Sequence, residues 1–213
     1  MEEKRVKFAC GQIPLEGFIA VAQKKPALVI CHPHPLYGGS MDSSVVIALR
    51  DAAWGIGMGT LRFNFRGTGG SGGRHSGGVR EIEDAESAVE FMRKSGAVPG
   101  NVCLAGYSFG AGISLRLAAK DKRIKKVVAV APPAHYDYAY LKHNKTPKLM
   151  ILGQYDNVAS PQDIEKIMKD FDNTKIKVIK GADHFFYGEL DDIKKYTEEF
   201  LKSKTLYKDY CGK

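Results

Sequence analysis

The sequence predicts an α/β fold, a single domain over residues 1–213 with a mostly parallel, twisted sheet of about eight strands flanked by helices. Three observations point there. Apolar runs of four to seven residues alternate with longer stretches of helical period, as strands do when helical crossovers pair them in parallel. The first two strand signals come before any helix, so an antiparallel hairpin should open the sheet. An apolar fraction of 44% and a charged fraction of 26% match an ordinary globular core and surface, which excludes disordered and fibrous architectures.

Strands are expected at residues 5–10, 17–22, 27–31, 60–65, 102–106, 126–131, 148–152 and 175–179. A helix is expected from residue 79 to 94. Val79, Ile82, Val89 and Met92 recur there at three-to-four spacing or its multiples, with Glu81, Glu83 and Asp84 at the start, Arg93 and Lys94 at the end and Gly96 just beyond. Periodicity, dipole and stop signal agree. Another helical run covers 111–119. Ser160 reads as an N-cap with Pro161 at the first helical position, followed by Ile164, Ile167, Met168 and Phe171 on one face. Leu190, Ile193, Tyr196, Phe200 and Leu201 define a closing helix. No repeat or linker divides the chain, and the glycine-dense stretch at 67–78 reads as a loop.

Charge and cysteine content narrow the functional classes. Lys and Arg number 32 against 24 Asp and Glu, for a net charge of +8. Only nine of the cations are Arg, and the lysines are spread over amphipathic helical segments and their flanks, the pattern of a solvated surface rather than a nucleic-acid footprint. Cys10, Cys31, Cys103 and Cys211 form no CxxC pair and are expected as reduced thiols. No apolar run reaches the roughly 18 residues a membrane span requires, and Met1 to Arg5 put charges where a signal peptide needs apolar residues. The expected location is the cytoplasm, with no membrane partner.

The chemistry begins at Gly106-Tyr107-Ser108-Phe109-Gly110. A G-x-S-x-G run is common by chance in a chain with 23 glycines, but this one follows an apolar strand and precedes a helical run. In that setting the glycines allow strand and helix backbones to approach closely, while a strained turn holds Ser108 out at the carboxyl end of the sheet. A serine hydroxyl needs a base, and the base needs an orienting carboxylate. His184 follows the last strand and precedes the last helix, at the same end of the sheet. Asp156 lies between serine and histidine in chain order, after the strand at 148–152. Asp183, adjacent to His184, and Asp137, one strand earlier, are rival acids.

An oxyanion site needs backbone N–H groups aimed at developing charge. Phe109, immediately after Ser108, offers one. The loop Cys31-His32-Pro33-His34-Pro35-Leu36-Tyr37 should offer the other. Its prolines have no donor, leaving His34 first and Leu36 or Tyr37 as fallbacks. A metal site at Cys31, His32 and His34 is the competing reading, but no further ligand cluster completes it, and no metal is expected. Gly67 to Gly72 satisfies G-x-G-x-x-G, yet Arg74 to Gly78 intervene before any helix could meet a pyrophosphate, so nucleotide binding is set aside and no cofactor is expected.

Together, the runs Ile30 to Gly39, Phe63 to Gly72, Gly106 to Gly110, Gly153 to Asp156 and Ala182 to His184 resemble the α/β-hydrolase fold family in composition and order. More narrowly they resemble the small lidless bacterial hydrolases related to dienelactone hydrolase. The resemblance covers nearly the whole chain and implies fold and triad rather than substrate. Dienelactone hydrolase uses a cysteine nucleophile where this chain has Ser108, which disfavours that enzyme's own reaction. The family's cap usually follows the sixth strand, and residues 132–147 leave room only for a short loop. An open cleft for short acyl chains follows, with Tyr37, Tyr138 and Phe186 as candidate lining. The expected activity is serine hydrolysis of small soluble carboxylic esters through an acyl-enzyme. The alternatives are a peptidase or amidase with the same triad, or a non-catalytic binding protein. The expected partner is a small-molecule substrate, and the expected state a monomer or small homo-oligomer.

Overall fold

The computed structural model describes residues 1–96 and 101–203. One eight-stranded sheet runs through it in the spatial order β1 (Lys4–Cys10), β2 (Ile13–Ala20), β4 (Gly59–Phe63), β3 (Ala27–Cys31), β5 (Val102–Tyr107), β6 (Ile124–Val130), β7 (Lys148–Gly153) and β8 (Thr174–Ile179). β1 pairs antiparallel with β2, and β2 antiparallel with β4; the remaining pairings are parallel. The expected opening hairpin is present, but its second strand starts at Ile13 rather than residue 17. Cys10 pairs with Ile13 across a tight turn in which Gly11 takes φ 58°, so pairing resumes before the apolar signal does. Every residue of β3, β4 and β5 is buried, as strands covered on both faces must be. The edge strand β8 turns lysines 175 and 177 outward, which blunts its open edge.

Five helices cover the sheet: α1 (Ser44–Gly55), α2 (Glu81–Lys94), α3 (Phe109–Lys120), α4 (Pro161–Met168) and α5 (Leu190–Lys202). α1 packs on α5, and α2 packs on α3. The closing helix stands where expected, and so does the start of the proline-led helix, capped by Ser160 Oγ accepting from the Asp163 N–H, although it ends at Met168 and leaves Phe171 outside. Two further details differ. α1 was not anticipated: Ser43 makes no side-chain cap and the helix has no charged first turn, so only the buried spacing of Val45, Val46, Leu49, Ala52 and Ala53 marks it. Val79 lies outside α2 and is exposed; the helix starts only at Glu81.

Polar groups tie these elements together. Trp54 Nε1 on α1 donates to Thr60 Oγ1 on β4 at 2.9 Å, with the Arg50 guanidinium 4.7 Å from its ring centre. Lys126 Nζ donates to the carbonyls of Phe200 (2.7 Å) and Ser203 (3.1 Å), closing the carboxyl end of α5, and burial pushes its ammonium down to about 8. Cys10, Cys31 and Cys103 are buried and free, in keeping with the expected thiols; Cys211 lies outside the described residues. No helix among the described residues is long and apolar enough to cross a membrane.

The strongest of these ties joins Arg66, just after β4, to Asp84 in the first turn of α2. Both side chains are fully buried. Arg66 donates through Nε at 3.0 Å and Nη2 at 2.7 Å, and its own backbone N–H also bonds the carboxylate. Removing Asp84 leaves the buried guanidinium with only the half-exposed Glu83 carboxylate, 3.1 Å from Nη2, and breaking a buried pair in this way costs about 3–5 kcal/mol. Asp84→Ala should therefore lower the stability measured by urea unfolding by about that amount; a loss under about 1 kcal/mol would refute a structural role for the pair.

Candidate active site

Ser108 sits between β5 and α3 with φ 52° and ψ −116°, a conformation non-glycine residues rarely adopt. Its N–H donates to Val130 O at 2.8 Å, tying the turn to the end of β6. The flanking glycines are required by contact. A Cβ on Gly106 would collide with the Gly110 carbonyl, and one on Gly110 with the carbonyls of Cys31 and His32. The same clearance brings the loop after β3 against the first turn of α3.

His184 reaches the same point from the loop after β8. Its Nε2 lies 3.1 Å from Ser108 Oγ and its Nδ1 lies 2.7 Å from Asp156 Oδ2. Burial alone would raise the Asp156 carboxyl. The bonds from His184 and from the backbone N–H groups of Ala159 and Val158 outweigh it and hold the pKa below the ordinary value. Two further contacts fix the histidine loop. Tyr107, inside the serine pentapeptide, donates its hydroxyl to His184 O at 2.8 Å, and Gly153 at the end of β7 leaves room for the Asp183 carbonyl. The rival acids are occupied elsewhere: Asp183 Oδ1 accepts from the N–H groups of Phe185 and Phe186, and Asp137 Oδ1 accepts from Ala139 N–H.

The loop after β3 is held by its histidines. His32 Nδ1 donates to Pro33 O at 2.6 Å and its Nε2 accepts the Phe65 N–H at 3.0 Å. Burial pushes this imidazole down to about 4, so it is neutral and fully engaged. Burial also pushes the Cys31 thiol up to about 12, and with both ring nitrogens bonded His32 has none left to offer a metal. His34 Nδ1 accepts the Leu36 N–H, and His34 O accepts the Tyr37 N–H. Both fallback oxyanion donors are thus used inside the loop. The backbone N–H groups of His34 and Phe109 bond to no protein atom among the described residues.

Sequence reasoning missed what stands behind His34. The His34 ring packs edge-on against Phe109 (5.0 Å between centres) and His75 (4.8 Å), and His75 Nδ1 lies 3.0 Å from the buried Glu81 carboxylate. Burial would raise Glu81, but the Ser76 hydroxyl and the N–H groups of Ser76 and Gly78 overcome it and hold the pKa low. The acidic first turn had pointed to Glu81 only as a dipole partner. The G-x-G-x-x-G stretch is a structural loop around another buried carboxylate: Glu16 accepts from Asn64 and from the Gly70 N–H, and a Cβ on Gly70 would lie 2.6 Å from it. A phosphate would meet a negative charge there.

Two of the expected lining residues require correction. Tyr138 and Phe186 are 1% and 0% exposed and present no surface to a substrate. Tyr138 turns its hydroxyl inward to Pro133 O, and Phe186 fills the core beneath the His184 loop. Tyr37, 88% exposed, stands at the rim beside His34. Residues 131–147, between β6 and β7, form a loop with a single short 3₁₀ turn and no inserted cap.

The sheet order, the strained serine turn and the uncapped carboxyl end define a lidless α/β serine hydrolase fold. The family model for X-Pro dipeptidyl-peptidase (S15 family) matches residues 20–158, and the chain belongs to the α/β-hydrolase family through it. An uncharacterized protein of Rickettsia prowazekii is 31% identical over 192 residues, 85% of this chain and 81% of its own length. The structure of an α/β serine hydrolase homologue from Coxiella burnetii is 33% identical, with TM-score 0.84 over 94% of this chain and 97% of that one. A lidless α/β serine hydrolase from Xanthomonas campestris is 27% identical, with TM-score 0.83 over 94% of both chains.

The Glu81 anchor has a pH signature. Its folded pKa lies below the unfolded value near 4.5, so its contribution is complete above that value and is lost as pH falls through the folded pKa. Glu81→Gln should be less stable than the parent at pH 7, and the gap in urea midpoint should narrow at pH 3.5; an equal gap at both would refute the assignment.

Proposed function

We propose that the protein hydrolyses small soluble carboxylic esters by a serine acyl-enzyme mechanism. The observation that carries this reading is the chain of contacts from Asp156 Oδ2 through His184 to Ser108 Oγ, with the serine held in a strained turn at a helix start. His184 Nε2 takes the Ser108 proton as Oγ attacks the ester carbonyl. Asp156 keeps the imidazole oriented and stabilises its charged form. The tetrahedral oxyanion forms beside the Phe109 and His34 N–H groups. Collapse expels the alcohol, which receives the proton from His184. Water then attacks the acyl-enzyme with His184 again as base, releasing the acid and restoring Ser108.

The uncapped loop at 131–147 supports a small substrate in an open cleft, because the described residues form no lid to enclose a long acyl chain. A second reading, amide or peptide hydrolysis, is favoured by the X-Pro dipeptidyl-peptidase model that matches the chain. The same three residues serve either bond, so substrate choice distinguishes the two.

An alkyl fluorophosphonate should add a single covalent mass to Ser108, and Ser108→Ala should abolish both the label and about 10⁴-fold or more of ester turnover. An unlabelled wild type, or a variant of near-parental activity, would sink the serine hydrolase reading. A chain-length series of 4-nitrophenyl esters beside an Xaa-Pro anilide should show highest kcat/KM on the shortest acyl groups; preference for the anilide would transfer the assignment to peptide hydrolysis.

A further inference from the structure

A cleft of about 360 Å³ opens directly beside the nucleophile turn. Its floor is one face of α3, where Phe109, Ile113 and Arg116 recur at i, i+4 and i+7. One wall is Gly77 and Gly78, and the other is the loop from His135 to Tyr140. Two glycines let its lining rings pack close. A Cβ on Gly112 would lie 2.7 Å from the Tyr136 ring, and one on Gly78 would lie 3.3 Å from Phe109 Cε2.

Arg116 is the notable group in this cleft. Arg62 and Arg66, at the end of β4 and just after it, are tied to the carboxylates of Glu3 and Asp84. Arg116 forms no ion pair among the described residues, and its one polar contact is Nη1 donating to Gly78 O at 3.4 Å. Eight residues separate it from Ser108, about 12 Å of helix, but side chains on a helix lean toward its amino end. The contact with Gly78, itself against Phe109, shows that the guanidinium reaches back toward the nucleophile turn. Its charge is also felt at the Tyr136 and Tyr140 hydroxyls, where it opposes the rise that burial imposes. Asp137 is on the same wall, with its Oδ1 accepting the Ala139 N–H.

We propose that this cleft is the specificity pocket of the serine hydrolase site, and that it takes the part of an ester substrate that carries a carboxylate, paired with Arg116 beside the aromatic rings of Tyr136 and Tyr140. The assignment rests on the hydrolase reading above. It narrows that substrate class to esters that carry a carboxylate. Arg suits the task because its planar fork matches a carboxylate and its face stacks on aromatic rings.

The test compares substrates matched in size. Wild-type kcat/KM is measured on mono-4-nitrophenyl glutarate against 4-nitrophenyl pentanoate, which places the carboxylate on the acyl side, and on 3-carboxyphenyl acetate against phenyl acetate, which places it on the alcohol side. A preference of about tenfold or more for one anionic member is expected. In Arg116→Gln that ratio should fall toward 1, chiefly through KM, while a Lys195→Gln control with the same charge loss keeps the wild-type ratio. Equal rates on both pairs, or an unchanged ratio in Arg116→Gln, would overturn the proposal while leaving ester hydrolysis itself intact. A binding readout needs no turnover: benzoate titrated calorimetrically should bind wild type and bind Arg116→Gln at least tenfold more weakly. Absent or equal binding overturns the pocket. Absent fluorophosphonate labelling alongside benzoate binding overturns only the hydrolase reading.

Discussion

Between the carbonyl oxygens of Cys31 and His32 and the first turn of α3 there is room for a hydrogen atom and no more, and Gly110 fills that position. Gly106 does the same against the Gly110 carbonyl one turn away. The first of these approaches depends on β3 and β5 being parallel neighbours, so that the loop after β3 and the turn after β5 leave the sheet at the same end, while the second lies within the β5–α3 turn itself. With the backbones that close, the loop that carries His34 lies against the first turn of α3, which begins at Phe109 beside Ser108. The strain in Ser108, typically about 1–3 kcal/mol, is borne by a core buried on both faces of the central strands.

A second layer of order is electrostatic. The surface carries a surplus of positive charge, yet the loops at the carboxyl end are organised around buried carboxylates: Glu16 under the glycine-rich loop, Glu81 behind His75, Asp84 on Arg66 and Asp156 on His184. Three of them, Glu16, Glu81 and Asp156, hold their pKa below the ordinary value although burial pushes the other way. In each case backbone N–H groups supply part of the compensation. A buried anion thereby fixes the course of a loop that has few apolar side chains of its own, as the glycine-dense stretch at 67–78 illustrates.

Much of this was legible in the sequence, for identifiable reasons. The strand and helix alternation survived because β3, β5, β6 and β7 are nearly continuous apolar runs, and that pattern is hard to mistake. Ser108, Asp156 and His184 could be named because each follows a strand ending at the same edge of the sheet. Other features were hidden. α1 escaped because it has neither a capping side chain nor a charged first turn. Tyr138 and Phe186 were misread because an aromatic residue in a loop has no local signal for whether the chain turns it inward; here Pro133 O and the underside of the His184 loop decide. The Glu81–His75 pair and the Tyr107 hydroxyl bond join residues whose proximity depends on loop paths that no periodicity records.

Trp54, the chain's one tryptophan, is held on α1 by Thr60 near the start of β4. Thr60 is level with Cys103 across the sheet, because both pair with Leu28. Ser108 is therefore five strand residues farther on, roughly 16 Å toward the opposite end. The indole is thus placed as an optical reporter of the scaffold alone. Its emission should follow the separation of α1 from the sheet, when the Arg50 stacking and the Thr60 bond are lost, and should respond little to ligand exchange at the serine.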